Sequence, residues 1–539
     1  MGNCKGTQAI DEPEDEIPHH CPKGQHLIEN LRLGVASFSR DYEQHYEVIR
    51  DKPLGVGLHG PVYRAVHRES GVTYANKFLC TKGAKPESLS MLKNELMIMS
   101  TMDHPNVAQL MDVYETVDGF HMIEELCTGG ELHSRMAKSG KFLEEDARIH
   151  LGVMVDVIRY MHDKKIVHND LKLENWLFEN ESEGALLKLI DFGFSKHTSP
   201  NEKLRGAQGS TMYMAPEMFT GDYDQQCDMW SVGVIAYMMV TAAPPFLKLS
   251  PDNTGVDFKG TKDMIVKGDY AYPKGLDLSP QATEFIDKLL VVNPHDRLTA
   301  VEAQKHDWFE NNKVEEATLD EDICQKLEDF SSMTKLQQTV LQVIAYMLTP
   351  HQIGRLRQEF LKLDVKTDGK GVHHVGEVTY EQFSTCMKKA GVTSNEERLH
   401  QAFESIDFDR SGIIHWSEFL AATMNYSALS EKELQKAFDR LDCDNSGFIT
   451  LENLKALVGD DISERELVDM LESVPLSDSS KGSTGGLKFE EFVEVVFVAR
   501  NRKDSVDAIL EDTENIESQI KQSVRPSSDL TAGSDHSES

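Results

Sequence analysis

Apolar and polar positions change their spacing several times along the chain, and each change predicts a different kind of element. In residues 54–63, closely spaced glycines run into alternating apolar positions, which is typical of a strand-turn-strand flap. Residues 73–78 predict the next strand and residues 92–99 a helix. Residues 120–132 predict a strand that runs into a hinge and then a helix start. The pattern therefore predicts a mixed α and β region at this end of the chain.

Helical spacing dominates the second part of the chain. Residues 327–348 are too densely apolar for a solvent-facing helix, so this helix needs a groove in which to bury. Beyond Pro350 an apolar stripe at i, i+4 and i+7 occurs four times, and each stripe ends where a loop begins. The stripes are Leu356/Phe360/Leu363, Leu399/Phe403/Ile406, Leu434/Phe438/Leu441 and Leu467/Leu471/Val474. Two of the helices open with capping boxes, Ser430 with Glu433 and Ser463 with Glu466.

The loop after the second stripe has the hard oxygen ligands of a calcium site. Positions 1, 3, 5, 7 and 12 of a calcium loop are filled by Asp407, Asp409, Ser411, Ile413 and Glu418. The following loop matches through Asp442, Asp444, Ser446 and Phe448, but Asn453 replaces the closing Glu. Because one ligand oxygen and one charge are lost, we expect calcium to bind this loop more weakly by about 1.5 to 3 kcal/mol.

The two outer loops are poorer calcium sites. The first unit, from Asp364 to Gln382, contains extra residues and has Lys366 in a ligand place, and the fourth has Pro475 for its opening Asp. We expect neither to bind calcium well, and we interpret both as pairing partners that complete each lobe. The repeat as a whole predicts a four-fold array of EF-hand-like units.

Residues 167–178 carry the densest candidate chemistry in the first part of the chain. Asp170 and Asn175, five positions apart, would place a proton acceptor and a metal-holding amide in one loop, with Lys172 near the transferred phosphate. Phosphoryl transfer needs this combination, because a hydroxyl must be oriented in line with a phosphate while a divalent ion neutralises charge on the leaving group.

The partners of this loop occur in order at the required spacing. They are the flap residues Gly55, Gly57, Gly60 and Val62, the phosphate-gripping Lys77 with Glu95 placed to pair with it, the hinge residues Glu125 and Cys127, and Asp191, which would chelate Mg²⁺. A solvated surface pair is the alternative interpretation of Lys77 and Glu95, and their order and separation make it the poorer one.

With these motifs, residues 46–309 resemble eukaryotic protein kinases. The whole chain, a serine/threonine kinase followed by an apolar junction and four EF-hand units, resembles a calcium-dependent protein kinase. Kinases of this type are found in plants, ciliates and apicomplexan parasites. The resemblance implies an α+β chain: a bilobal protein-kinase fold followed by an all-α, calmodulin-like regulatory domain. It also implies ATP, Mg²⁺ and Ca²⁺ as cofactors. Without calcium the junction helix would block or misorder the kinase, and calcium would open the lobes to capture its apolar face.

The corresponding boundaries divide the chain into six parts. They are an N-terminal extension at 1–45, the kinase domain at 46–309, the junction or autoinhibitory helix at 310–350, EF-hand lobes at 351–425 and 426–500, and a disordered tail at 501–539. Two other classes stay open: a calcium-sensing scaffold whose kinase half transfers no phosphate, and a kinase whose EF-hand array is a rigid brace. Retention of Lys77, Asp170 and Asp191 argues against the first, and Glu418 with its loop against the second.

Several residues depart from the kinase pattern. Asn169 precedes Asp170 where kinases that read an activation-loop phosphate carry Arg, so we expect phosphorylation of that loop to be a poor switch. Ser210 keeps the hydroxyl that favours Ser/Thr acceptors. Glu124 stands behind the nucleotide pocket where an apolar side chain is usual, and a buried carboxylate is costly unless paired. One hypothesis is that Glu124 competes with Glu95 for the lysine of the pocket; the alternative is that it turns toward solvent or buried water.

The net charge of the chain indicates which classes of partner it binds. The chain of 539 residues has 90 Asp plus Glu against 56 Lys plus Arg, a net charge of −34, which argues against nucleic-acid partners and for metal cations or basic substrates. Glu131 and Glu174 match the acidic positions with which basophilic kinases select Arg or Lys upstream of the acceptor hydroxyl. We therefore predict a basic residue three positions before the target Ser or Thr.

Cysteine usage and the N-terminus bear on location. The eight cysteines form no C-x-x-C pair, which fits a reducing cytosol, and no apolar run reaches the roughly 18 residues of a membrane span. Gly2 stands where myristoylation would occur and Cys4 could take a palmitoyl chain; two acyl groups would be needed for stable anchoring. Dual lipidation and a plain disordered terminus are equally supported. The expected protein is a cytoplasmic monomer with an optional membrane anchor.

Overall fold

The computed structural model describes residues 42–497 except 58–59, 140–141, 183, 200–202, 207–208, 251, 253–254, 310–317, 349, 365, 368–371, 374–375, 393–394, 443, 445, 459–462 and 473–485. Gly2, Cys4, Val474, Pro475 and the predicted tail at 501–539 lie outside the described residues. The description confirms the expected α+β class, a sheet-rich lobe and a helical lobe followed by a helical EF-hand region.

The first lobe is a six-stranded antiparallel sheet with one long helix. After the short helix α1 (Tyr42–His45) come β1 (Tyr46–Ile49), β2 (Gly55–Gly57), β3 (Gly60–His67), β4 (Thr73–Cys80), α2 (Pro86–Thr101), β5 (Leu110–Thr116) and β6 (Gly119–Glu124). The strand order is β1-β3-β4-β6-β5, and β2 pairs with β3. Strand β4 is the middle strand of this order, so Lys77, which it carries, lies within the sheet.

The second lobe is mainly helical. Its elements are α3 (Leu132–Ser139), α4 (Glu144–Asp163), β7 (Ile166–Val167), β8 (Trp176–Phe178), β9 (Leu187–Leu189), β10 (Lys196–His197), β11 (Leu204–Arg205), β12 (Asp222–Tyr223), α5 (Gln226–Thr241), α6 (Phe258–Lys267), α7 (Pro280–Leu289) and α8 (Ala300–Gln304). Helix α5 is buried from Cys227 to Val240 and packs against α4 and α7. A helix that is apolar on all sides is expected in the centre of a domain, and α5 supports the catalytic loop at residues 167–178.

The junction forms two helices where the sequence predicted one over 327–348. Helix α9 (Glu321–Ser331) ends before Thr334, which caps α10 (Lys335–Met347) in a capping box with Gln337. The Thr334 hydroxyl accepts from the Gln337 N–H, and the Gln337 side chain accepts from the Thr334 N–H at 2.8 Å, so the chain restarts its helical register here.

The regulatory region follows as paired helices. Its elements are α11 (Pro350–Leu363), β13 (Lys366–Thr367), β14 (Val372–His373), β15 (Glu377–Thr379), α12 (Tyr380–Lys389), α13 (Glu396–Ile406), β16 (Ile413–His415), α14 (Trp416–Thr423), α15 (Glu431–Leu441), α16 (Leu451–Val458), α17 (Glu464–Glu472) and α18 (Phe489–Phe497). The capping boxes predicted at Ser430 and Ser463 both form. Helix α9 packs against α13 and α14, and α10 packs against α14, α15, α17 and α18. The apolar junction is thus buried in the EF-hand helices, as its composition required.

The EF-hand region docks against the sheet lobe of the kinase. The Asp103 carboxylate accepts from the Ser417 hydroxyl at 2.6 Å and from the Ser417 N–H at 3.2 Å, at the start of α14. Gly376, at φ +75°, lies against the His104 ring so closely that a Cβ would overlap it. Arg440 on α15 forms an ion pair with Asp112 at 3.3 Å. The loop that follows α2 is therefore in direct contact with the first EF-hand lobe.

Candidate active site and calcium loops

A lysine bridges two carboxylates at the back of the cleft. Lys77 Nζ lies 2.5 Å from Glu95 Oε1 on α2 and 2.7 Å from Asp191 Oδ1. Burial would lower the pKa of Lys77, but the charges of Glu95 and Asp191 outweigh it and raise that pKa. Burial would likewise raise the pKa of Asp191, and the Lys77 ammonium lowers it. The lysine therefore stays charged, and Asp191 stays an ionised ligand.

The glycine-rich hairpin covers this lysine. Gly55 pairs with Val62, Gly57 pairs with Gly60, and Val62 in turn pairs with Lys77. A Cβ on Gly57 would lie 3.6 Å from the Lys77 Cε, so the flap backbone passes directly over the ammonium. Backbone N–H groups this close to a lysine form a surface on which phosphate oxygens can rest.

The loop around Asp170 is fixed by hydrogen bonds. Its Oδ1 accepts from the Ser210 N–H at 2.7 Å, and its Oδ2 lies 2.5 Å from Lys172 Nζ. The Asn175 side-chain N–H donates to the Asp170 carbonyl at 2.9 Å, which leaves the amide oxygen as a hard ligand for a metal ion. At Gly209, at φ +103°, a Cβ would lie 2.6 Å from the Asn169 carbonyl, so this close approach requires glycine.

Asp228 at the start of α5 anchors the loop from below. Its carboxylate accepts from the His168 N–H at 2.9 Å and the Asn169 N–H at 3.0 Å, and it contacts His162 Nε2 at 3.0 Å. Asn169, at φ +68°, donates its side-chain amide to the Phe194 carbonyl. A residue other than glycine keeps a left-handed backbone conformation only where several contacts hold it in place, as these hydrogen bonds do for Asn169.

Glu124 ends β6, and Cys127 follows it in the segment that leads to the second lobe. Burial raises the pKa of Glu124 to about 7, against the opposing charge of Lys77. The hydrogen bonds of Lys77 among the described residues go to Glu95 and Asp191, so Glu124 acts on it here only as a nearby charge. Cys127 is half-buried, and burial raises the pKa of its thiol to about 12, which keeps it protonated.

Behind the hinge, the EF-hand region supplies an arginine to the kinase. Arg357 on α11 is 1% exposed; its guanidinium lies 2.5 Å from Glu179, just after β8, and 3.8 Å from Glu125, just after β6. Glu125 is also 2.5 Å from Lys188 Nζ. Burial would raise the pKa of Glu125, and the two cations lower it. The Cζ atom of the Arg357 guanidinium lies 5.8 Å from the centre of the Trp416 ring. One arginine therefore bridges both kinase lobes at their connection.

The candidate substrate-selecting acids are available at the surface. Glu131 and Glu174 are exposed, and Glu174 accepts from the Tyr213 hydroxyl at 3.4 Å. Glu131 forms a β-bridge with Leu177, directly after the catalytic loop. Both carboxylates belong to the lobe that carries Asp170.

The 407–418 loop brings its predicted ligands together. Ligand oxygens of Asp407, Asp409 and Glu418 all lie within 4.8 Å of one another. Burial raises the pKa of Asp409 to about 6 and that of Glu418 well above its usual range, with the neighbouring carboxylates adding to both. Ser411 donates its hydroxyl to the Ile413 carbonyl at 3.0 Å. Converging buried carboxylates of this kind fit a hard divalent cation.

The 442–453 loop has the same turn but a different closing residue. Asp442 accepts from the Ser446 N–H at 2.9 Å and from the Gly447 N–H at 2.8 Å, and Asp444 accepts from the Ser446 N–H at 3.2 Å. The Ser446 hydroxyl also donates to the Phe448 carbonyl at 3.2 Å. In the first unit, Asp364 accepts from the Gly376 N–H at 2.6 Å across its enlarged loop. The opening residue of the fourth loop lies outside the described residues.

Comparison with known proteins identifies the family. A protein kinase domain model matches residues 48–309, and an EF-hand domain pair model matches residues 374–426. Calcium-dependent protein kinase 3 of Plasmodium berghei is 31% identical over 478 residues, covering 86% of this chain and 82% of the relative. Calcium-dependent protein kinase 14 of Arabidopsis thaliana is 31% identical over 507 residues, covering 91% and 92%. The chain belongs to the calcium-dependent protein kinases.

As a calcium-dependent protein kinase, the chain is a serine/threonine kinase that uses ATP and Mg²⁺ and is regulated by calcium. The residues present fit these groups. Asp191 and Asn175 offer hard oxygens to Mg²⁺, and Lys77 offers a fixed cation to phosphates. Among the described helices, none combines the length and apolarity needed to cross a membrane.

Several contacts that organise this calcium-dependent protein kinase were not predicted from the sequence. Asp228 is part of the kinase-like stretch at residues 228–231, but its hydrogen bonds to the backbone N–H groups of His168 and Asn169 do not follow from that motif. Arg357 and Glu179 are 178 positions apart, and Asp103 and Ser417 are 314 apart. No local pattern reports contacts at such separations.

Proposed function

We propose that Asp170 orients the acceptor hydroxyl and takes its proton, that Lys172 stabilises the transferred phosphate, and that Asn175 and Asp191 hold Mg²⁺. Bound Mg-ATP supplies the phosphoryl group and neutralises its charge. Lys77 binds the phosphates beneath the flap formed by Gly55, Gly57, Gly60 and Val62. Backbone atoms around Glu125 and Cys127 bind the adenine base of ATP. The observation that carries this proposal is Lys77 within 2.7 Å of both Glu95 and Asp191.

The experiment is phosphate transfer to a basic serine peptide, with and without a calcium chelator, using the wild type, Asp191→Asn and Asp407→Ala. We expect the wild type to transfer phosphate faster with calcium than with chelator. Asp191→Asn should transfer none in either condition. Asp407→Ala should transfer at the basal rate of the chelated wild type in both conditions. Transfer by the wild type that ignores calcium would support the brace alternative, and no transfer under any condition would support the scaffold.

We propose that the substrates are proteins with Arg or Lys three positions before the target Ser or Thr. Two exposed carboxylates, Glu131 and Glu174, support this, because they lie in the lobe of the catalytic loop and can pair with a guanidinium. Peptides with Arg or Ala at that position are the test, with Glu131→Gln and Glu174→Gln as the variants. Equal rates on the two peptides would refute the preference.

We propose that the junction switches the kinase. In the arrangement described here, α10 is buried among EF-hand helices while the Lys77–Glu95 pair is formed, which we assign to the active state. Without calcium, α10 leaves these helices and its apolar face blocks or misorders the kinase. A chain shortened after Phe309 tests this: we expect it to lose calcium dependence. Retained calcium dependence would contradict the switch.

We further propose a cytoplasmic, monomeric protein that is brought to membranes when Gly2 is myristoylated and Cys4 is palmitoylated. The residue types at these positions support the proposal. Fractionation of cells that express the wild type, Gly2→Ala or Cys4→Ser is the test, and identical distributions would refute the anchor. Sedimentation of the purified chain measures its oligomeric state.

A further inference from the structure

Two consecutive glutamates stand at the end of β6, and their side chains lie on opposite faces of the sheet. The Glu125 carboxylate lies 2.5 Å from Lys188 Nζ and 3.8 Å from the Arg357 guanidinium. Because successive residues of an extended strand alternate between its faces, the Glu124 side chain lies on the other face. The two carboxylates therefore have different surroundings although they are adjacent in the sequence.

Strand pairing shows which face carries Glu124. It pairs with Ala75 of β4, and Lys77 lies two residues further along the same strand. Val62 in the glycine-rich hairpin pairs with Lys77. Directly opposed residues, and residues two apart on one strand, share a face of the sheet, so Glu124 lies on the same face as Lys77 and Val62. This is the face that the glycine-rich flap covers.

The Glu124 carboxylate receives no hydrogen bond from any residue in the described part of the chain. The Lys77 ammonium on the same face donates instead to Glu95 at 2.5 Å and to Asp191 at 2.7 Å. Glu124 is half-buried, so its carboxylate has also lost part of its water. A carboxylate in this position is costly unless it is paired, and a ligand that brings a donor would offset that cost.

Adenine has a donor that suits this position. Its exocyclic amine carries two N–H groups, and the backbone carbonyl of a segment that binds the base can take only one of them. Glu124 directly precedes the segment around Glu125 and Cys127, and its side chain faces the same cleft as Lys77. Guanine has a carbonyl oxygen where adenine has the amine, and a carbonyl oxygen can only accept. A carboxylate therefore distinguishes the two bases, which an apolar side chain does not.

We propose that the Glu124 carboxylate accepts a hydrogen bond from the exocyclic amine of adenine, so that this kinase selects purine nucleotides with a 6-amino group over those with a 6-oxo group or with hydrogen there. The inference rests on the proposed function, which places the base beside Glu125 and Cys127. It makes Glu124 a specificity-determining residue of the nucleotide site.

The first test measures the Kd of ATP and of purine riboside triphosphate, which has hydrogen in place of the amine, by titration of the calcium-loaded full chain in Mg²⁺. The Kd for the analogue divided by that for ATP should fall about tenfold or more from the wild type to Glu124→Met, because a hydrogen bond to a charged group is lost. Backbone contacts to the amine are present in both chains and cancel in this comparison.

Two further variants sharpen this test. Glu124→Gln keeps an acceptor oxygen, so its ratio should lie between those of the wild type and Glu124→Met. Glu115→Gln removes an exposed carboxylate from β5 of the same sheet and should keep the wild-type ratio. Equal ratios in the wild type and Glu124→Met would overturn the proposal. So would a change that weakens or strengthens both nucleotides by the same factor, since Glu124 would then act on the phosphates through Lys77.

The second test repeats the comparison with adenosine and purine riboside, which lack phosphates. The ratio should again fall about tenfold or more in Glu124→Met, and GTP should gain affinity relative to ATP in the same variant. A ratio that changes for the triphosphates but not for the nucleosides would contradict the contact with the amine. Circular dichroism confirms that each variant is folded, and a ratio taken within one variant does not depend on its folded fraction.

Binding also separates this inference from the function on which it rests. A wild type that binds none of these nucleotides would refute both. A wild type that binds them with a ratio that Glu124→Met leaves unchanged would refute this inference alone, and the proposed phosphate transfer would stand.

Discussion

Replacing Arg357 by Met should loosen the connection between the sensor and the kinase. The change removes the cation that lies 2.5 Å from Glu179 and 3.8 Å from Glu125. Loss of one member of a buried ion pair costs about 3 to 5 kcal/mol. Glu125 keeps Lys188 at 2.5 Å, and the Glu179 side chain is 14% exposed, so both retain some compensation. We therefore expect a loss of about 2 to 3 kcal/mol, within the range for charged hydrogen bonds.

Urea unfolding of the calcium-loaded chain measures this loss, since Trp416 lies beside Arg357 and reports on the interface by fluorescence. Glu179→Gln removes the stranded carboxylate, so the double variant should be more stable than the sum of the single changes predicts, by about 1 kcal/mol or more. Arg355→Met is the matched control; this arginine is 65% exposed, and its loss should cost less than about 0.5 kcal/mol.

A second readout separates the interface from general stability. Because Arg357 holds both ends of the hinge, its loss should raise the Kd for ATP several-fold while the calcium affinity of the 407–418 loop changes less. Equal unfolding costs for Arg357→Met and Arg355→Met, or strict additivity with Glu179→Gln, would refute the reasoning.

Three further predictions concern single groups. Asp191→Asn should lower phosphate transfer at least about 100-fold, because an ionised metal ligand and lysine partner is lost, while calcium binding by calorimetry stays unchanged; a smaller loss would contradict its role. Glu124→Gln should gain stability relative to the wild type as pH rises from about 5 to 8, since the pKa of Glu124 is raised to about 7 and the wild type progressively ionises a buried carboxyl in that window. Urea titrations across this range measure the free energy of unfolding, with the exposed Glu131→Gln as the control. A difference between Glu124→Gln and the wild type that does not change with pH would count against the prediction. Ser417→Ala should weaken docking by about 1 to 2 kcal/mol through loss of the hydroxyl bond to Asp103 and raise the calcium concentration for half-maximal activity, whereas Ser417→Thr should not; equal responses of the two variants would exclude this contact.

Features carried by short, ordered motifs could be predicted from the sequence. The spacing of Lys77 and Glu95 predicted their pairing, and they lie 2.5 Å apart. The capping boxes at Ser430 and Ser463 were visible because each lies within four consecutive residues. Such features depend on local geometry, which sequence spacing reports directly.

The missed features depend on contacts between distant segments or on atoms within one side chain. The break at Thr334 did have a local signal, the T-x-x-Q pattern with Gln337, but the dense apolar run around it favoured one continuous helix. The hydrogen bonds that the Asn453 oxygen accepts from Thr450 could not be predicted, because the sequence shows that a ligand carboxylate is missing and not where the amide points.

Trp416, Ser417 and Glu418 are consecutive, and they contact Arg357, bond to Asp103 and close the calcium loop, respectively. Successive side chains on a helix point about 100° apart, so these duties are separated only by rotation around one axis. Insertion of a single residue before Glu418 would keep every chemical group and still turn the first two away from the kinase. The three contacts therefore depend on the helical register of this one turn as much as on the side chains that it carries.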